Sequence, residues 1–64
     1  MKFNGQNISL NERISLLKLL QQNSYDISKI AVELNGDIVP KVKYADTMLL
    51  DEDTLEVVSF IGGG

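Results

Sequence analysis

The sequence contains no cysteine, no histidine and no tryptophan, and it has a single proline, Pro40. Without cysteine there are no disulfides, no thiolate nucleophile and no cysteine-based zinc site. Without histidine no side chain titrates near neutral pH unaided, and neither a Ser-His nor a Cys-His pair can be assembled. Carboxylates and lysines remain, on a chain too short to enclose the deep pocket that would shift their pKa values. The expectation is a protein that is not an enzyme. Positive charge is scarce as well: 6 basic residues against 9 acidic ones give a net charge of -3. The lysines are scattered rather than massed, which argues against a nucleic-acid partner. Long apolar runs are also missing. The amino end, MKFNGQNISL, has no signal-peptide core, and nothing approaches membrane-spanning length. A cytoplasmic protein without a membrane partner is expected, and the sequon Asn7-Ile8-Ser9 then carries no sugar.

The 64 residues allow one domain, near the lower limit for a core without staples. With 44% hydrophobic residues, Leu, Ile, Val and two Phe must hold it together. Met1–Asn4 reads as a short strand and Gln6–Leu10 as its return, because Asn4-Gly5 suits the positive φ of a tight hairpin turn. A helix over ERISLLKLLQQ follows, with Asn11 as its cap and Ile14, Leu17 and Leu20 at helical spacing. In KIAVELNG, Ile30, Val32 and Leu34 alternate with Ala31 and Glu33, the period of a half-buried strand, and Asn35-Gly36 turns the chain. Asp37–Asp46 reads as irregular around Pro40. Thr47–Leu50 is a brief strand, Asp51-Glu52-Asp53 a solvated turn, and Thr54–Phe60 a closing β-branched strand. The order strand, strand, helix, strand, short strand, strand makes an α+β domain with one sheet packed on one helix.

The closing strand carries a further expectation. Glu56 avoids the core, so Leu55 and Val57 face it. Alternation then sends Val58 and Phe60 to the side with no helix, as a small apolar patch that fits a partner site. A bulge or an edge contact that reverses the alternation is the competing reading. Beyond Phe60 stand Ile61, Gly62, Gly63 and Gly64. Three glycines are costly to order and do not stabilise a fold, so a domain over 1–60 and a flexible tail over 61–64 are expected.

The element order is that of the ubiquitin-like β-grasp fold (ββαββ, a mixed sheet on one helix), in which the first and last strands run parallel in mid-sheet. More specifically, AVELNGDIVPKVKYADTML, the acidic turn, EVV and the final glycines closely resemble the ThiS family, the sulfur carriers of thiamine biosynthesis. Val32, Asn35, Gly36, Val39, Pro40, Lys41, Tyr44, Gly63 and Gly64 stand at the pattern's positions, across essentially the whole chain. Two places depart from it. Glu52 replaces the glycine of a common Asp-Gly-Asp turn, where positive φ would be strained. Lys41 and Tyr44 stand where Arg and Trp are usual.

The resemblance implies a chemistry for the tail. The carboxylate of Gly64 would be adenylated by a ThiF-like adenylyltransferase, with ATP and magnesium belonging to that partner and no cofactor bound by this chain. A sulfur donor such as a cysteine desulfurase would then supply sulfur, and the resulting thiocarboxylate would pass it to thiazole synthase. Gly62 and Gly63 would be the part gripped, and Val58, Phe60 and Ile61 the surface beside them, on a chain that is a monomer by itself. Ile61–Gly64 would reach about 14 Å when extended. The alternatives are the small subunit of molybdopterin synthase, a protein modifier joined through Gly64, and a non-covalent β-grasp interaction module.

Overall fold

The computed structural model describes residues 1–60. Two hairpins with the same chemistry build most of the sheet. Strand β1 (Lys2–Phe3) returns as β2 (Gln6–Asn7) through Asn4 and Gly5, at φ 49° and 84°. Strand β3 (Ile30–Leu34) returns as β4 (Asp37–Ile38) through Asn35 and Gly36, at φ 53° and 87°. Both central residues are left-handed, which Asn and Gly tolerate and which matches the twist of the strands. Strand β5 (Thr54–Ser59) lies between the hairpins, in the order β2-β1-β5-β3-β4. It is parallel to β1 and antiparallel to β3. The β-grasp arrangement expected from the element order is therefore present.

Four elements differ from the sequence reading. Strand β2 ends at Asn7 and does not run on to Leu10. Helix α1 spans Leu16–Gln22, so it starts at Ser15 and not at Asn11. Ser15 Oγ accepts from the Lys18 N–H at 3.1 Å, a side-chain N-cap. The preceding residues are drawn out of the helix by the 47–50 segment. The Leu49 N–H donates to the Ile14 carbonyl and the Leu16 N–H to that of Thr47, with Ser15 bridged to Met48. Tertiary pairing thus wins over a helical period that Ile14 happens to continue. For the same reason Thr47–Leu50 is a bridge to the helix entrance and not a sheet strand. The short strand of the sheet is β4, within the segment read as irregular.

The connections are short 3₁₀ turns. One, Ile27–Lys29, is capped by Asp26, whose carboxylate accepts from the Ser28 N–H and hydroxyl. The other, Lys41–Asp46, follows Pro40 and places Tyr44 against α1. The core lies between helix and sheet: Leu16, Leu20, Val32, Leu55 and Tyr44 are fully buried there. Each such aliphatic side chain stabilises by about 1.5–3 kcal/mol. Tyr44 is thus a packing residue, and burial pushes its phenol above the usual range. No helix among the described residues is long and apolar enough to cross a membrane.

Candidate functional site

The candidate site is the face of the sheet that α1 leaves uncovered, at the end of β5. Leu55 and Val57 are buried against the helix, while Val58 and Phe60 are 59% and 55% exposed on the other side. The register is unbroken from Leu34 opposite Leu55 to Ile30 opposite Ser59, so no bulge reverses the alternation. The Phe60 N–H extends the pairing by donating to the Lys29 carbonyl at 2.7 Å. Val58 stands directly opposite Ala31, and this pair with Phe60 forms the apolar patch expected from the sequence.

Two features of this face were not read from the sequence. Glu33 lies directly opposite Glu56, one step along β5 from the patch, and neither forms an ion pair among the described residues. Like charges facing each other across strands are destabilising. Ile38 of β4 pairs with Glu33, sits on the same face and is 67% exposed. The period-2 pattern of β3 contained the Glu33 half of this arrangement, but the register that sets Glu56 against it is a long-range fact.

The acidic turn is solvated at Asp51 and Glu52, as expected, but not at Asp53. Asp53 is buried: its Oδ1 accepts from Asn35 Nδ2 at 2.9 Å and its Oδ2 from the Leu50 N–H at 2.8 Å. Asp51 Oδ1 accepts from the Leu10 N–H at 3.0 Å and from the Met1 amino group at 3.3 Å. These contacts, the Leu10 N–H first, hold its carboxyl below the usual range. The turn therefore ties three parts of the chain together. Glu52 does not need positive φ, since the non-glycine residues in that region are Asn4, Ser24 and Asn35. An open hollow of 310 Å³ between the first hairpin and the end of α1 is lined by Phe3, Asn4, Gln6, Ile8, Asn23 and Tyr25. It holds no carboxylate or amine and is poorly equipped for acid–base chemistry.

Of the predicted site residues, the structure brings Val58 and Phe60 together at the end of β5. Ile61, Gly62, Gly63 and Gly64 lie outside the described residues. A mixed five-stranded sheet on one helix, with its first and last strands parallel at the centre, defines a ubiquitin-like β-grasp protein. The ThiS family model matches residues 1–64, and the chain belongs to the ThiS family, the sulfur carriers of thiamine biosynthesis. A solved structure of the thiamine biosynthesis protein ThiS from Geobacter metallireducens superposes with a TM-score of 0.81 at 27% identity, covering 98% of this chain and 96% of that one. The sulfur carrier protein ThiS of Bacillus subtilis is 29% identical over 65 aligned positions, covering 100% of this chain and 98% of that protein. A thiazole synthase of Paramagnetospirillum magneticum is 43% identical over 61 residues; these are 95% of this chain but 19% of that protein's length.

Proposed function

We propose that the chain carries sulfur as a thiocarboxylate on Gly64 and delivers it to thiazole synthase. The observation that carries this reading is the extent of the family match, which runs through residues 1–64 and so includes the glycines. A carboxylate is a poor electrophile because its leaving group would be oxide. In the proposed sequence a carboxylate oxygen of Gly64 attacks the α-phosphorus of ATP and pyrophosphate leaves. The terminal sulfur of a persulfide, held on a donor such as a cysteine desulfurase, then attacks the carbonyl carbon of this mixed anhydride and displaces AMP. A thiol next attacks the S–S bond of the resulting acyl disulfide, releasing the Gly64 thiocarboxylate and leaving a disulfide between that thiol and the donor cysteine. ATP and magnesium belong to a ThiF-like adenylyltransferase in this scheme, acting with the carrier in the cytoplasm.

The chain's own contribution is to dock and to reach. Val58 and Phe60 offer apolar surface beside the segment that bears the reactive group, and the Glu33–Glu56 pair, without an ion-pair partner among the described residues, adds negative charge to the same face. Glycines at 62–64 carry no Cβ and can adopt whatever φ a narrow active-site channel imposes. Ordering them costs about 1–2 kcal/mol per residue, which contact at the patch must offset. The occurrence of a similar segment within a longer thiazole synthase supports that enzyme as the acceptor and favours thiamine over molybdopterin biosynthesis.

Intact-mass measurement tests the reading directly. After incubation with ATP, the adenylyltransferase and a sulfur source, the mass should rise by the difference between one sulfur and one oxygen. The gain should be absent when Gly63 and Gly64 are deleted. An unchanged mass, with the enzyme active on another carrier, would remove the proposal.

A further inference from the structure

Strand β1 accompanies β5 for two residues only, with Lys2 beside Thr54 and Phe3 beside Leu55. The Asn4 N–H adds one more rung, donating to the Leu55 carbonyl at 2.9 Å. At Asn4 the backbone turns away, at φ 49°, and the ladder on that side of β5 loses its partner strand. The next groups turned to that side are the N–H and carbonyl of Val57. The side-chain amide of Asn4 meets both: its Oδ1 accepts from the Val57 N–H at 2.7 Å, and its Nδ2 donates to the Val57 carbonyl at 3.3 Å. One side chain thus reproduces one peptide group of the missing strand.

We infer that Asn4 is a positioning residue for loading of the carrier, because its amide holds the end of β5 from which the patch and the glycine segment extend. The inference rests on the carrier reading above. Val57 immediately precedes Val58, and on the β3 side the hold continues through Phe60 to Lys29. With the amide removed, β5 beyond Leu55 is held by β3 alone. A looser strand end must be ordered when the partner binds, which weakens docking without altering the chemistry at Gly64.

Asn35 provides an internal control. It occupies the same position in the other Asn-Gly turn and also braces β5, accepting from the Thr54 N–H at 2.8 Å. That contact lies at the start of β5, at the end away from Phe60. Asn4→Gly and Asn35→Gly both keep left-handed backbone accessible and both remove an amide brace. Asn4→Asp keeps the acceptor for the Val57 N–H and loses the donor, giving an intermediate case.

The test is steady-state adenylation by the cognate ATP-dependent adenylyltransferase, at a temperature where circular dichroism shows every variant folded. Asn4→Gly should raise KM for the carrier about tenfold with kcat retained, the equivalent of ordering about one more residue on docking. Asn4→Asp should fall between, and Asn35→Gly should stay within about twofold of the parent. Amide hydrogen exchange at Val58 and Phe60 should quicken in Asn4→Gly and not in Asn35→Gly. Unchanged KM in Asn4→Gly, or an equal rise in Asn35→Gly, would overturn the inference while leaving the carrier reading intact. Failure of the parent protein itself to be adenylated would remove the carrier reading, and the inference with it.

Discussion

The side-chain amide of Asn35 reaches 18 positions along the chain to donate to Asp53 Oδ1 at 2.9 Å, while its own Oδ1 accepts from the Thr54 N–H at 2.8 Å. The residue that shapes the β3–β4 turn thereby also fixes the start of β5. Asn35→Gly preserves the turn and loses both bonds, one of them to a buried carboxylate. It should cost about 1–3 kcal/mol. Asn35→Ala should cost about 1–2 kcal/mol more, because Cβ is strained at φ 53°. Urea unfolding of the two variants checks the order, and equal losses would show that the turn conformation contributes nothing.

What was legible in the sequence were local patterns whose meaning is local. The alternation in Ile30–Leu34 and Leu55–Val58 placed each side chain on its correct face, and the Asn4-Gly5 dipeptide marked a hairpin. The same dipeptide at Asn35-Gly36 also makes a hairpin, but β4 is two residues long and is followed closely by Pro40, so its strand pattern is too short to see. The helix start was hidden because Asn11 is a good cap type and Glu12–Ile14 extend the period; pairing with Thr47–Leu49 decides the boundary instead. Nothing near Asp53 in sequence indicates its partner at Asn35, so an acidic triplet reads as a wet turn throughout when its last member is bonded inward. The patch was legible for the same reason as the strand: Val58 and Phe60 follow from the alternation alone. The brace on Val57 was not, because Asn4 is 53 positions away.

Helix α1 ends with Ser24 at φ 61°, and the Tyr25 N–H donates to the Leu20 carbonyl while that of Ser24 donates to Gln21. This is the terminating motif in which glycine is the usual left-handed residue. Ser24→Gly should therefore stabilise the protein by about 0.5–1 kcal/mol, the relief of strain exceeding the added chain entropy. A raised melting temperature checks this; a lowered one would mean that the serine is comfortable at that angle.

Asp51 predicts a pH dependence. Its folded-state pKa is depressed by the Leu10 N–H and the Met1 amino group. Its contribution is present above the unfolded carboxyl value of about 3.9 and is lost as pH falls through the lower folded value. Asp51→Asn should lower the melting temperature at neutral pH and flatten the fall in stability below about pH 4. Parallel acid titrations of parent and variant, followed by circular dichroism, measure both effects. Superimposable curves would place the acid sensitivity in other carboxylates.

The docking surface and the reactive segment should separate experimentally from each other and from the fold. Val58 and Phe60 are more than half exposed, so Val58→Ser with Phe60→Ser should change stability by no more than about 1 kcal/mol. Leu55→Ala, one turn of the alternation away but fully buried, should cost about 2–5 kcal/mol, enough to unfold much of so small a domain. In adenylation assays the double serine variant should raise KM and leave kcat near the parent value, because the contacts removed are the same before and during the chemical step. Replacing Gly63 with valine should lower kcat, since a branched Cβ beside the reacting carboxylate disturbs the positioning that the step requires. The Gly63 variant should unfold in urea at the parent's midpoint, and the double serine variant within about 1 M of it. A Gly63 variant loaded at the parental rate would mean that the glycines are not gripped. A double serine variant with parental KM would move the docking surface off the helix-free face, leaving Val58 and Phe60 as exposed side chains without a partner.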